Sequence, residues 1–214
     1  MRSPLAFAGL LLLGFCAPAV LSLASAAGNT VAVIHEGYDR YPSVGASITL
    51  VRAGDAVIVC DPGMLKDQQL IIDGLKKSGL GVADVTHVFL THTHTDHMAN
   101  LGLFPQAKII DAAGIYSADN WQEYVSEGFT VAPGVSVMAT PGHTNEDLTL
   151  LVKTEQGTYG ITHAWWHSDL TPVIDPFAEA PEKLLESRKR ILSAVDWIIP
   201  GHGAPVRNPQ KAKP

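Results

Sequence analysis

At 214 residues, 46% apolar and 17% charged, the chain has the size and composition of one globular domain, with little room for an added recognition domain. The formal net charge of −6 leaves no general electrostatic footprint for nucleic acid, although a local basic patch is compatible with it. The only cysteines are Cys16 and Cys60, which excludes a disulfide framework.

Residues 1–27 read as a leader. Arg2 gives a positive start, Leu5 to Leu13 an apolar core, and Ala24-Ser25-Ala26 a small-residue cleavage pattern. Cleavage near Ala26 or Ala27 implies secretion, a periplasm or an endomembrane lumen, and losing Arg2 takes the charge from −6 to −7. The competing reading is an uncleaved membrane anchor, against which Pro18 and the run of small residues speak. Three strand-like stretches follow, Val31 to His35, Ser47 to Arg52 and Ala56 to Cys60, the last two joined by a Gly54-Asp55 hairpin turn. Cys60 is then a small buried hydrophobe. Asp61-Pro62-Gly63 supplies turn or helix-cap chemistry, and Leu65 to Leu80 carries the apolar spacing of a surface helix ending at Gly79 or Gly81.

Thr86 to Leu90 reads as a buried strand, and directly after it come four metal-seeking side chains within six residues: His92, His94, Asp96 and His97. A period-two strand exit points His92 and His94 the same way, able to share one ion, while Asp96 and His97 on the turn beyond face a neighbouring position. Imidazole mixed with carboxylate suits zinc and similar borderline ions. Lys108 to Asp111 returns as a strand, residues 113–126 read as weakly helical, and Val131 to Thr140 reads as a hairpin around Pro133-Gly134. That hairpin delivers Pro141-Gly142-His143, where glycine is expected to let the backbone approach an ion. Leu148 to Lys153 is a strand followed by a hairpin at Gln156-Gly157. Residues 171–178 read as a Pro-rich connection, and Glu179 to Val195 as an amphipathic helix whose Ser187-Arg188-Lys189-Arg190 forms a solvated basic cluster. Asp196 to Ile199 is the last strand, feeding Pro200-Gly201-His202-Gly203, and the polar tail at 208–214 is expected to be disordered.

The run from His92 to His97 matches the H-x-H-x-D-H signature of the metallo-β-lactamase superfamily. Asp61-Pro62-Gly63, Thr140-Pro141-Gly142-His143-Thr144 and Ile199-Pro200-Gly201-His202-Gly203 stand in that family's order, so the resemblance covers nearly all of the chain after residue 30. Within it, Asn100 to Pro105 and Ser187 to Arg190 resemble the animal metallo-β-lactamase domain-containing protein 1 group. The resemblance implies an α/β (α+β) domain over residues 28–207, built as a four-layer αββα sandwich of two mixed sheets. It implies His92, His94 and His143 around one ion, with Asp96, His97 and His202 around another. Asp61 and Asp147 would brace the ligand loops, Asp61 from beneath. It also places the loop with Tyr38 and Tyr41 beside the groove, unless that loop is packed by its own aromatics, and Trp165, Trp166 and His167 where they would wall the pocket, with one of the two tryptophans expected in the core. The chain departs from the family after the 148–153 strand, where most members carry a Gly-Asp whose aspartate bridges two metals. Here Gly160-Ile161-Thr162-His163-Ala164 has none. His163 could ligate one ion, the second site could be weak, or three ligands per ion could suffice; a site that still holds two metals is the expectation.

The chemistry expected of such a centre is metal-assisted hydrolysis. Zinc, one or two ions per chain, with iron or manganese as alternatives, would supply hydroxide at neutral pH, with Asp96 orienting the nucleophile's proton. A small ester, thioester, lactone or amide is the expected substrate. RNA phosphodiester hydrolysis, β-lactam opening, and a non-catalytic metal-binding or redox role are the alternatives.

Overall fold

The computed structural model describes residues 28–211, so the leader and its cleavage or anchor alternatives lie outside the described residues. The described residues start with β1 (Thr30–His35), a short hairpin β2 (Tyr38–Arg40) and β3 (Ser43–Gly45), and then β4 (Ile48–Ala53) and β5 (Ala56–Cys60). Helix α1 (Gln69–Lys77), strand β6 (His87–Phe89), the one-turn helix α2 (Thr95–Met98) and β7 (Lys108–Ile110) follow. Next come β8 (Ile115–Ser117), β9 (Asn120–Gln122), β10 (Thr130–Ala132), β11 (Val135–Ala139), β12 (Leu148–Thr154) and β13 (Gly157–Ile161). Helix α3 (Pro181–Ala194), β14 (Trp197–Ile199) and β15 (Val206–Arg207) complete the fold.

Two mixed sheets face one another. The first has the order β1-β4-β5-β6-β7-β8-β9 and the second β10-β11-β12-β13-β14-β15, while β2 and β3 form a separate two-stranded ribbon. The inner faces meet in one core: Val51, Ile58, Phe89 and Ile110 from the first sheet, Val137, Leu150, Ile161 and Ile199 from the second. Period-two alternation sends the intervening residues outward, so each sheet needs a second cover. Helix α1 supplies one, its buried Ile71 and Leu75 packing on Ile48, Leu50, Val59 and Val88. Helix α3 supplies the other, with Leu184 and Ile191 against Ile198 and Leu151. These are the four layers expected. Truncating Ile71 or Leu75 to alanine would cost about 2–5 kcal/mol.

Four expectations are corrected. Residues 113–126 are not helical: Ile115 to Gln122 forms the antiparallel pair β8–β9 that extends the first sheet, with Trp121 against Gly114, where a Cβ would meet the indole. Strands of three residues are too short to show a period. The 187–190 cluster is not uniformly solvated either. Ser187 and Arg188 are buried, Ser187 donating to Pro141 O, while Arg188 donates to the carbonyls of Ala164, Pro172 and Val173. The tail is ordered through residue 211 because fully buried Asn208 donates to Leu192 O and Val195 O. Finally, the close approach that Gly142 permits is to α3, since a Cβ there would strike the Leu184 backbone.

Strands β5, β6, β11, β13 and β14 all end at the same edge of the sandwich. Asp61, the start of the 91–97 segment, His143, His163 and His202 follow their last residues by one to four positions. Backbone bonds from Leu148 N to Thr91 O (2.7 Å) and from Ser47 N to Gly201 O (2.7 Å) tie the two sheets together there.

Candidate metal centre

Six imidazoles and one carboxylate converge at that edge. The rings of His92 and His163 have centroids 4.5 Å apart, those of His97 and His163 4.8 Å, and those of His143 and His163 4.2 Å. Three groups of donor atoms lie within 4.8 Å of one another: His92/His94/His143, Asp96/His97/His202, and His92/His97/His163. The first two are the sets expected. The third brings His163 into the centre, where it is buried and central to the cluster.

Each ring is aimed by a neighbour. The backbone at Asp61 is left-handed (φ 50°), a conformation Asp and Asn tolerate. Its carboxylate accepts from Thr91 N (2.8 Å), Thr91 Oγ1 (2.7 Å) and His97 Nδ1 (2.9 Å), the support from beneath that was expected. Asp147 accepts from Thr144 N and Thr144 Oγ1, both at 2.8 Å, and so holds the loop that carries His143. Burial pushes its carboxyl up to about 6, against the Thr144 bonds that lower it. His202 Nδ1 donates to Gly45 O (3.0 Å). Gly201 is required next to it, because a Cβ there would strike the His163 ring.

Burial, reinforced by the neighbouring imidazoles, drives His92 and His163 well below the usual histidine value, and burial lowers His94 and His202 as well. These rings are neutral at pH 7, with lone pairs available. His92 Nε2, His97 Nε2 and His163 Nδ1 are buried without a protein partner, an arrangement that costs free energy unless something electrophilic lies between them. A borderline divalent metal fits this donor set.

Five of these groups, His94, Asp96, His143, His163 and His202, line a cavity of about 240 Å³ together with Asp39, Val44, Trp166 and Phe177. Of the five expected pocket residues, only Trp166 is placed there. Asp39 and Val44 are a cross-strand pair of the β2–β3 ribbon and face the cavity, so alternation turns Tyr38 the other way, edge-on to His35. Tyr41 sits in the turn and is 99% exposed. Trp165 belongs to the core beneath α3, with the Arg188 guanidinium 5.4 Å over its ring. His167 stands outside the lining, 3.9 Å from Asp39.

Besides Asp39 and Val44, two residues of the site escape a reading of motifs. Asp175 accepts from His143 Nδ1 (2.7 Å), Trp166 Nε1 (3.2 Å) and Phe177 N through its other oxygen (2.9 Å). Burial pushes its carboxyl up, but these bonds outweigh burial and hold it below the ordinary value. The signal was an isolated carboxylate within the apolar run Val173-Ile174-Asp175-Pro176-Phe177. Phe177 is the second, stacked on Trp166 at 5.6 Å and 5°.

A family model described as the metallo-beta-lactamase superfamily matches residues 42–164. The chain is 35% identical over 192 residues to metallo-beta-lactamase domain-containing protein 1 of Xenopus laevis, covering 84% of this chain and 82% of that one. It is 29% identical over 148 residues to an N-acyl homoserine lactonase of Bacillus thuringiensis, covering 61% of this chain and 59% of the other. Its fold is similar to the crystal structure of a metallo-beta-lactamase-like protein of Thermotoga maritima, with a TM-score of 0.64 at 21% identity over 84% of this chain and 99% of that one.

Proposed function

The chain belongs to the metallo-beta-lactamase superfamily, and on that premise we propose that it hydrolyses a small ester or lactone with an apolar acyl group, using bound zinc. One observation carries this reading. Six imidazoles and Asp96 converge beneath a cavity of about 240 Å³ whose other wall is the stacked pair Trp166–Phe177 with Val44. The three overlapping donor groups would hold one or two ions. When bound, an ion of this class acidifies water and polarises a substrate oxygen.

The chain's own residues do the rest. Trp166, Phe177 and Val44 take the apolar part of the substrate out of water and leave its carbonyl over the histidines. Asp96 lines the same cavity, with Oδ2 3.5 Å from His97 Nε2 and 3.8 Å from His202 Nε2. Its carboxylate holds the proton given up as water adds to the carbonyl carbon, then returns it to the departing oxygen as the C–O bond breaks. Asp61 and Asp175 keep His97 and His143 from turning. Among the described residues no lysine or arginine lines the cavity, while Asp39 and Asp96 do, which favours a neutral substrate over a phosphodiester. The Bacillus relative's name, a lactonase, points the same way.

The test is a panel of a nitrophenyl ester, an N-acyl homoserine lactone, a thioester, a β-lactam and a short RNA. The protein is stripped with a chelator and reloaded with zinc. Ester or lactone turnover that disappears on stripping and returns with zinc is the expected result. Turnover of RNA or the β-lactam with esters and lactones untouched would reject the substrate, and no turnover of any would favour a metal-binding role without catalysis.

A further inference from the structure

Resting on that metal-dependent reading, we infer that the first ion this chain takes up sits among His92, His97 and His163, so that the histidine at 163 makes the centre a one-ion site first. Proton positions follow from groups that only accept. Gly45 O accepts from His202 Nδ1 (3.0 Å), so His202 Nε2 is a bare lone pair. His163 Nε2 lies 3.1 Å from it and therefore donates, which leaves His163 Nδ1 bare. The Thr91 hydroxyl donates to Asp61 and so accepts from His92 Nδ1 (3.1 Å), while His97 Nδ1 donates to Asp61 directly. His92 and His97 thus present bare Nε2 atoms. Across the site, Asp175 takes the His143 Nδ1 proton, and His143 Nε2 accepts from His94 Nδ1 (3.1 Å).

Among the buried ring nitrogens of the cluster, three lone pairs are left over: His92 Nε2, His97 Nε2 and His163 Nδ1. Their residues form one of the compact donor groups. Three imidazole nitrogens suit a borderline divalent ion such as Zn²⁺ or Co²⁺. The two flanking groups each borrow a member of this trio, and one lone pair holds one ion. Filling both flanks instead would break the His94–His143 and His163–His202 hydrogen bonds and set two divalent charges against Asp96 as the only direct carboxylate. His202 is then a positioning residue for His163 before it is a ligand.

Metal-stripped full-length protein is titrated with Co²⁺ and Zn²⁺ against a competing chelator, with the cobalt absorption spectrum and bound metal per chain as readouts. One tight equivalent is expected. His163→Ala should weaken it by more than about 100-fold, beyond the 10–100-fold of losing an outer partner, while His94→Ala retains it. His163→Asp, whose two oxygens can serve two ions, should take up a second equivalent. Nitrogen NMR of unaltered protein needs no variant: one equivalent of zinc should shift His92 Nε2, His97 Nε2 and His163 Nδ1 and leave His94 and His143 in place. Two tight equivalents that survive His163→Ala, or a first equivalent lost in His94→Ala and kept in His163→Ala, would overturn this inference and leave the hydrolase reading standing. Absence of any tight metal in unaltered protein would overturn both.

Discussion

Replacing Asp61 with asparagine preserves the side chain's size and its tolerance of a left-handed backbone, and changes only which way hydrogen bonds run. Asp61 Oδ1 accepts from Thr91 N, and Oδ2 accepts from both Thr91 Oγ1 and His97 Nδ1. The asparagine oxygen must take the Oδ1 position, because an NH₂ there would face a backbone N–H. The NH₂ then occupies the Oδ2 position and donates to His97 Nδ1 and to the Thr91 hydroxyl. His97 must move its proton to Nε2, and the Thr91 hydroxyl, now free to donate, drives His92 the same way through the 3.1 Å contact to its Nδ1. Both Nε2 lone pairs are withdrawn from the centre. Recovering them for a metal would leave a donor-to-donor contact at His97 and a Thr91 hydroxyl proton without an acceptor, each about 1–3 kcal/mol. The total of about 2–6 kcal/mol corresponds to at least about 30-fold weaker metal binding. The metal-free fold, which keeps its bonds in number, should change by less than about 1 kcal/mol. Chelator competition measures the first quantity and urea unfolding of stripped protein the second. Unchanged zinc affinity in Asp61→Asn would refute the assignment of proton positions.

Three further outcomes are expected. Arg188→Ala leaves the carbonyls of Ala164, Pro172 and Val173 without their donor and uncovers Trp165, so a loss of about 2–4 kcal/mol in unfolding free energy should appear in urea titration; a loss under about 0.5 kcal/mol would count against the clamp. Phe177→Ala removes half of the stacked wall, and KM for a long-chain acyl ester should rise about 10-fold with kcat little changed, whereas an acetyl ester should be nearly unaffected. In metal-free protein, His92, His94, His163 and His202 are lowered from 6.5, so below that pH the unfolded chain binds more protons than the folded one and stability falls as pH drops. Asp147, raised to about 6 by burial, acts in the opposite sense between about 6 and 3.8. His35 and His87 are lowered as well, and Asp111 is raised like Asp147, so six histidines against two aspartates give a net fall in the urea midpoint from pH 7 to pH 5; a flat or rising midpoint would be contrary to this.

The donors were legible in the sequence because their chemistry is local. His92 to His97 lie within one turn of chain, and His143 and His202 each stand in a Pro-Gly-His context. Long strands and both main helices announced themselves by period, whereas β8 and β9, of three residues each, carry none. Asp175 was hidden because its role exists only through contacts with His143, 32 residues away, and Trp166. Arg188 was hidden because a charged residue in a helix normally reads as solvated, and only the folded chain brings three carbonyls to it. The side of the ribbon that faces the cavity turned on a one-residue alternation, which favoured Asp39 and Val44 over the aromatic Tyr38.

The donors are divided between the halves of the sandwich: His92, His94 and His97 follow a strand of the first sheet, and His143, His163 and His202 follow strands of the second. Every candidate ion position spans that division, so an ion would act as a rivet between layers otherwise joined by the shared core and a few backbone bonds. Melting temperature should therefore climb with free metal concentration, by the equivalent of about 2.7 kcal/mol at a hundred times the dissociation constant. In metal-poor surroundings the two layers would part first at the rim that carries the catalytic groups, coupling the working life of the protein to the supply of its ion.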